Sequence, residues 1–338
     1  MYLIRKFLTK VVHISNLAIF IVSLLLIVST AWLIMLVERE TFPTFFDGLW
    51  WVMTTVTTVG YGDFYPVSIG GRLIGVFLYL FGIALIGLVL GKIIEAFAIY
   101  RKRREEGEIM YKGKNHYIII GWSQKAKYAI REMINTDKNI EIIIIDELEK
   151  APILDHNIHY IQGNASERNV LEKANIKEAN TVLVFADDKI ENGQLTDGKT
   201  LLIASTIESI APEVYTIVEI MEEIHMKNFK YMNVDEFILS HETISSLFVR
   251  SAFRKGISNI FSQLLKHAEG DDLYYIPTHS KWKTYRDAFD ALLEKGATLV
   301  ADRDQLNINR MLDHTIPKDA ELYVICDSES HQRILEEV

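Results

Sequence analysis

The sequence of 338 residues contains one cysteine, Cys326, which excludes an internal disulfide and suits a reducing compartment. It has no basic excess. Lys and Arg number 36 against 45 Asp and Glu, a formal charge of −9, and an acidic balance argues against nucleic acid, whose phosphates need a basic face. The ten histidines show no metal-ligand spacing, and nothing in their placement supports pH sensing. No small-x-small cleavage pattern follows the first apolar run, and that run exceeds the usual signal core, so a secretory signal is excluded.

Charge is also missing from two long stretches, Leu17 to Val37 and Leu73 to Gly91. Each is long enough to cross a ~30 Å hydrocarbon core as a helix. Arg5, Lys6 and Lys10 precede the first; Arg101, Lys102, Arg103 and Arg104 follow the second. The connection carries Glu38, Glu40, Asp47 and Asp63 against Arg39 and Arg72. The positive-inside rule therefore predicts a multi-pass protein of the cell membrane with both ends in the cytoplasm. The tetrabasic cluster marks topology and sits where anionic headgroups would attract it.

Between the spans, the stretch from Phe45 to Asp63 is too apolar for an ordinary loop and too short to cross the bilayer twice. A re-entrant helix with an extended return fits both facts, because irregular backbone at membrane depth must be buried in protein or line a watery cavity. In Thr58-Val59-Gly60-Tyr61-Gly62 the two glycines can take backbone angles closed to residues with a Cβ. Alternating such residues with ordinary ones can turn successive carbonyls toward one axis. Four copies then stack rings of oxygens, with the Thr58 hydroxyl adding an inner ring, that replace the hydration shell of potassium.

Thr-Val-Gly-Tyr-Gly-Asp resembles the selectivity filter of potassium channels. That resemblance implies that Trp50, of the pair Trp50–Trp51, lies behind the filter within reach of Asp63; interfacial anchoring is the other role open to the two tryptophans. Some relatives carry a glutamate where this sequence has Thr54, so a carboxyl-to-aspartate link is absent. Gly82 matches the position where related two-span channels bend their inner helices, with close packing as the other use; Gly75 and Gly87 read as packing glycines. No arginine-rich helix precedes the spans, so no voltage sensor of the usual kind is expected.

Past a charged connector from Arg101 to Lys114, in which Gly107 argues against one long rigid helix, strands and helices alternate. Strands are predicted at Tyr117–Gly121, Ile140–Ile145, Ile158–Gln162, Thr181–Phe185, Val214–Ile220 and Glu236–Leu239, with an amphipathic helix at Lys125–Ile134. Near-continuous apolar strands separated by helices indicate a parallel sheet covered on both faces, a Rossmann-like domain. Its first turn, Gly121-Trp122-Ser123-Gln124-Lys125-Ala126, departs from Gly-x-Gly-x-x-Gly at Ser123, whose Cβ crowds a pyrophosphate while its hydroxyl could bond one. Asp146 follows near the spacing of an acid that binds a ribose hydroxyl.

The stretch Gly163 to Val184 resembles RCK domains, the regulators of potassium conductance, and the chain as a whole is similar to two-transmembrane prokaryotic potassium channels with a cytoplasmic RCK (TrkA-N/C type) gating domain. The resemblance covers about Leu17 to Leu239 and is looser beyond. It implies an α-helical two-span pore domain with a re-entrant pore loop (1–100), a linker (101–115), an α/β Rossmann-like N-lobe (116–241), crossover helices (242–270) and a small α+β C-lobe (271–338). Ile244 to Leu265 would be one helix swapped between paired domains. A homotetramer would carry RCK domains paired into an octameric gating ring, with a second set of domains starting at Met110 as one source; an ordinary linker methionine is the other reading.

For a gating ligand, a regulatory adenine-type nucleotide could occupy the cleft of Gly121, Ser123, Asp146 and Asn164, an empty and purely structural cleft being the other reading, and the resemblance to calcium-gated relatives implies a regulatory divalent cation at Glu219. Phe185 and Met221 hold the other cation positions, and neither ligates a hard cation. Asp187, Asp188, Glu222 and Glu223 are near enough in sequence to build a different cation site, with solvated surface charges as the other reading, and Asp187 to Lys199 reads as an inserted loop. A membrane-tethered nucleotide-dependent oxidoreductase is the alternative function; it requires an intact glycine motif and a placed acid, base or metal, and the sequence shows neither. A transporter's regulatory subunit would lack a pore.

Overall fold

The computed structural model describes residues 16–265 and 270–337. The flanking charges Arg5, Lys6 and Lys10 lie outside them. The chain divides into two compact units, ending at Arg103 and beginning at Arg104.

The first unit is helical. Among the described residues, α1 (Asn16–Val37) and α3 (Ile69–Glu105) are the two apolar helices long enough to span a membrane, and α2 (Phe45–Val56) lies between them in sequence. α2 starts because Thr44 and Asp47 form a reciprocal capping box, each side chain accepting from the other's backbone amide. Its inner face packs Trp51, Val52 and Val56 against Ala31, Ile34, Phe42 and Leu78. Glycine allows the closest approaches: a Cβ on Gly82 would stand 2.7 Å from Val56 Cγ2. Gly87 has no neighbour of its own chain within 4 Å of such a Cβ. α3 extends well beyond the uncharged run Leu73–Gly91, through the basic cluster to Glu105.

In the second unit, six parallel strands, β1 (His116–Ile120), β2 (Ile142–Asp146), β3 (Ile158–Gln162), β4 (Ala179–Val184), β5 (Tyr215–Ile220) and β6 (Glu236–Leu239), line up in the order β3-β2-β1-β4-β5-β6. Ile142 to Ile145 are fully buried because helices cover both faces of the sheet. The covering helices are α4 (Gln124–Thr136), α5 (Arg168–Lys173) and α6 (Gly193–Ile210). Strand order reverses between β1 and β4, and the crevice beyond the strands' carboxyl ends at such a point is where α/β sheets hold ligands.

Two expectations are corrected. Asp187–Lys199 is not a single inserted loop: α6 begins at Gly193, capped by Asn192 accepting from the Leu195 amide, and it buries Thr196, Asp197 and Thr200. Ile244–Leu265 is not one helix either. α7 (Ser240–Phe253) ends where Arg254 takes extended angles, and α8 (Ile257–Leu264) starts anew after Gly256, whose φ is 89°. Beyond them, the antiparallel sheet β7-β9-β8 (Asp272–Ile276, Leu322–Cys326, Thr298–Asp302) packs with α9 (Tyr285–Glu294) and α10 (Ser328–Glu337) around its own core of Ile276, Leu292, Leu322 and Ile334.

Candidate functional site

After α2 the backbone follows an unusual course. φ is positive at Thr58 (62°), Gly60 (53°) and Gly62 (78°), and at neither residue between them. Left-handed angles on alternate residues turn successive peptide planes the same way. Thr58 holds such an angle despite its Cβ, a conformation costing on the order of 1–3 kcal/mol that persists where its surroundings over-determine it. The Thr54 carbonyl accepts from the amides of Val59 (2.9 Å) and Gly60 (3.1 Å), fixing the start of this segment to the last turn of α2.

Trp50 braces the far end. Its indole Nε1 donates to Asp63 Oδ2 at 2.7 Å, and its ring stacks on Tyr61 with centroids 5.8 Å apart. Trp51 turns inward instead and is buried against Phe42, so the two tryptophans have different jobs. Thr54 donates its hydroxyl to the carbonyls of Trp50 and Trp51 within α2, leaving no side-chain link to Asp63 from this position.

Sequence reasoning passed over Glu38, which it counted only as a loop charge. Glu38 is buried where α1 ends and accepts from the amides of Val67 (3.0 Å) and Ser68 (2.7 Å) and from the Ser68 hydroxyl. It thereby pins the return from Asp63 to α3 and satisfies amides at the start of that helix. Burial pushes its pKa up, but these hydrogen bonds outweigh it and hold the carboxyl below its ordinary range. Nothing local in the sequence marks the contact, since its partners lie about 30 residues on. Glu38→Ala is expected to destabilise the protein by on the order of 2 kcal/mol, the scale of hydrogen bonds to a charged group. A lowered denaturation midpoint for the detergent-solubilised protein would show it, and an unchanged midpoint would contradict the assignment.

In the second unit a cleft of about 110 Å³ opens beyond β1, β2, β3 and β4, and Gly121, Asp146, Asn164, Lys189 and Lys199 are among its walls. Gly121 holds φ at 91°, and a Cβ there would meet the Phe185 carbonyl at 3.1 Å. The Trp122 amide donates to Asp146 Oδ2 at 2.7 Å. Asp146 Oδ1 is buried and without a hydrogen-bond partner; the Lys189 ammonium, at 3.9 Å, is beyond bonding distance. Asn164 Oδ1 accepts from the Ser166 amide and hydroxyl.

Ser123 departs from expectation. It caps α4 by accepting from the Ala126 amide at 3.2 Å and does not line the cleft. Two groups of the glycine-rich turn, the Trp122 amide and the Ala126 amide, are thus already paired internally.

Glu219, the candidate cation ligand, is paired within the fold. Its carboxylate is 5% exposed and takes the Lys125 ammonium at 2.8 and 2.9 Å and the Ala186 amide at 2.9 Å. Lys125 also meets Asp188 at 2.8 Å. Burial works against its charge, but the two carboxylates outweigh it and raise its pKa. A cation at Glu219 would face this ammonium, and among the described residues no group of three His, Cys, Asp or Glu side chains is placed to hold a metal ion. Asp187 is likewise paired, with Lys199 at 2.8 Å. Sequence reasoning also missed buried Asp197, which accepts from the Met221 amide and contacts His225 Nδ1 at 2.6 Å, joining α6 to the turn after β5.

Comparison with known proteins divides the chain in the same way. Residues 20–98 match the ion channel family and residues 117–240 the TrkA-N domain. The putative potassium channel protein YugO of Bacillus subtilis is 28% identical over 286 residues, covering 83% of this chain and 86% of its own. The calcium-gated potassium channel TvoK of Thermoplasma volcanium is 29% identical over 244 residues, 71% of this chain and 69% of its own. Among solved structures, the human SLO3 gating ring shares the fold with a TM-score of 0.52 at 13% identity. The match covers 65% of this chain and spans less than half, 46%, of that one.

Proposed function

The chain belongs with the potassium channels that join an ion-channel pore to a TrkA-N regulatory domain, and on that premise we propose how its residues conduct, select and respond. Four copies surround an axis, and Thr58 to Gly62 of each line it with carbonyl oxygens that stand in for water around potassium. The observation that carries this reading is the alternation of positive φ at Thr58, Gly60 and Gly62. Trp50 and Asp63 hold the segment from behind through their 2.7 Å bond. Gly82, where the second span meets α2, is the point at which that span bends when the pore opens. Both ends of the chain lie in the cytoplasm, where the acidic Rossmann-like unit would be solvated.

Regulation follows from the second unit. Domains from neighbouring subunits, together with a second set of four, pair into an eight-membered ring, and the apolar side chains that α7 and α8 leave exposed, Phe248 and Phe253 among them, supply the pairing surface. The cleft beside Asp146 takes an adenine nucleotide. A buried carboxylate oxygen without a partner is costly unless a ligand completes it, and a ribose hydroxyl is the donor that fits Asp146 Oδ1. Gly121 and Asn164 shape the same wall. A divalent cation at Glu219 is not part of this reading, because Lys125 neutralises that carboxylate. The energies are adequate: moving a gate from 1:99 to 99:1 needs about 5.5 kcal/mol, which four sites each favouring one state about tenfold supply.

The nucleotide assignment has a direct test. Adenosine and ADP should raise the unfolding temperature of the full-length protein, and Asp146→Asn should weaken both about tenfold, the scale of one charge-assisted hydrogen bond. Equal stabilisation of wild type and variant would remove Asp146 from the site. The oxidoreductase alternative has no observation in its favour, and the relatives are named as channels.

A further inference from the structure

Residues 107–115, which the sequence presents as a charged connector, run along the second unit with a two-residue period. Gly107 is buried and Ile109, Tyr111 and Gly113 are half-buried, while Glu108, Met110, Lys112 and Lys114 are exposed. The inward residues are each held through their backbone. The Gln162 amide donates to the Gly107 carbonyl at 3.1 Å, and His159 Nε2 lies 2.8 Å from the Ile109 carbonyl. The Tyr111 amide donates to Lys173 O at 2.9 Å, and Asn175 Nδ2 donates to Gly113 O at 2.8 Å. The Asn115 amide completes the series on Glu178 O at 2.8 Å. Just upstream, the Glu105 carbonyl accepts from the Ala151 amide at 2.7 Å, and Arg104 donates to Asp155 O at 2.7 Å.

This segment presses closely on its support. A Cβ on Gly107 would stand 2.4 Å from the Gln162 amide, so only glycine permits the approach. The Tyr111 ring is gripped between two imidazoles, His116 with centroids at 4.7 Å and His159 at 5.5 Å. His116 is itself fully buried, with Nε2 2.9 Å from Ala174 O. A polypeptide bonded at every second residue and keyed by a clamped ring behaves as part of the domain it lies on.

We propose that residues 107–115 form a strap fixed to the regulatory domain, and that Tyr111 is the positioning residue that makes it a rigid joint for gating. The proposal rests on the gating reading above. It removes residues 107–115 from the compliant length between the second span and the regulatory domain. Motion of the domain then enters the second span with little slack.

The strap itself is tested by deuterium exchange on the full-length channel in lipid nanodiscs. The amides of Tyr111 and Asn115 should exchange at least about 100-fold more slowly than an unstructured chain, as amides hydrogen-bonded within ordered structure do. Tyr111→Ala should abolish this protection and Tyr111→Phe should retain it. Exchange at the unstructured rate in the wild type would overturn the proposal. The joint is tested by four-glycine insertions, read as the change that ADP produces in potassium flux from liposomes. An insertion between Glu106 and Gly107 should remove most of that change, and one between Lys112 and Gly113, inside the strap, should keep it within about twofold of wild type. Equal losses from both would mean a loose tether and would overturn the joint. Should wild-type flux ignore ADP, the nucleotide reading fails, and the exchange result alone upholds or overturns the strap.

Discussion

Gly60→Ala is expected to abolish discrimination between potassium and sodium while leaving the protein able to assemble. The expectation does not rest on crowding, because a Cβ at Gly60 meets nothing within 4 Å in this chain. It rests on backbone geometry. Gly60 sits at φ 53°, and the left-handed region costs an L-residue with a Cβ roughly 1–2 kcal/mol. Four copies around one axis would make that about 4–8 kcal/mol per channel. Rotating the peptide back to negative φ relieves the strain and swings a carbonyl away from its neighbours. A filter with one displaced ring no longer replaces water around a dehydrated ion. Gly87→Ala is the control, since Gly87 lies within helix α3 and has open space around it; reversal potentials should separate the two variants. If Gly60→Ala remained fully selective, the alternating backbone would not be what selects.

Lys125→Met should be among the most destabilising single changes in the second unit. Glu219 is buried, and its two oxygens take the Lys125 ammonium and the Ala186 amide. Removing one partner of a buried ion pair leaves an uncompensated charge, typically at a cost of about 3–5 kcal/mol. Lys125 is itself about one-third exposed, with a side-chain exposure of 35%, so the lower end of that range is expected. Adding Glu219→Gln should recover most of the loss, because the charge disappears with its partner. Urea unfolding of the single and double variants measures both. A double variant no more stable than Lys125→Met would show that Glu219 was never the stranded group. Ion selectivity should be unaffected by either change.

These two sites differ in how far the sequence announces them. The candidate filter is written in consecutive residues, so the resemblance of Thr58 to Asp63 to a known motif and its place between two uncharged runs are enough to propose it. The strands were legible for a similar reason: runs such as Ile142–Ile145 are apolar at every position, which only a sheet covered on both faces accommodates. Lys125 and Glu219 are 94 residues apart, and no local pattern ties them; without that pairing, Glu219 read as a cation ligand. Glu38 was hidden in the same way, its partners being supplied by the start of the second span. Ser123 was read as a missing glycine in a phosphate-binding turn, although a serine before a helix is equally a cap, and the fold uses it so. The connector illustrates a third case. Glu108, Lys112 and Lys114 face solvent as their charge suggests, but the alternate residues between them are held by backbone bonds that sequence composition does not encode.

The measurement that bears most directly on the whole account is the reversal potential of the purified wild-type protein in a planar bilayer, with potassium on one side and sodium on the other. The account predicts a current that reverses close to the potassium equilibrium potential and loses that preference in Gly60→Ala. A wild-type current that reverses near zero would contradict it.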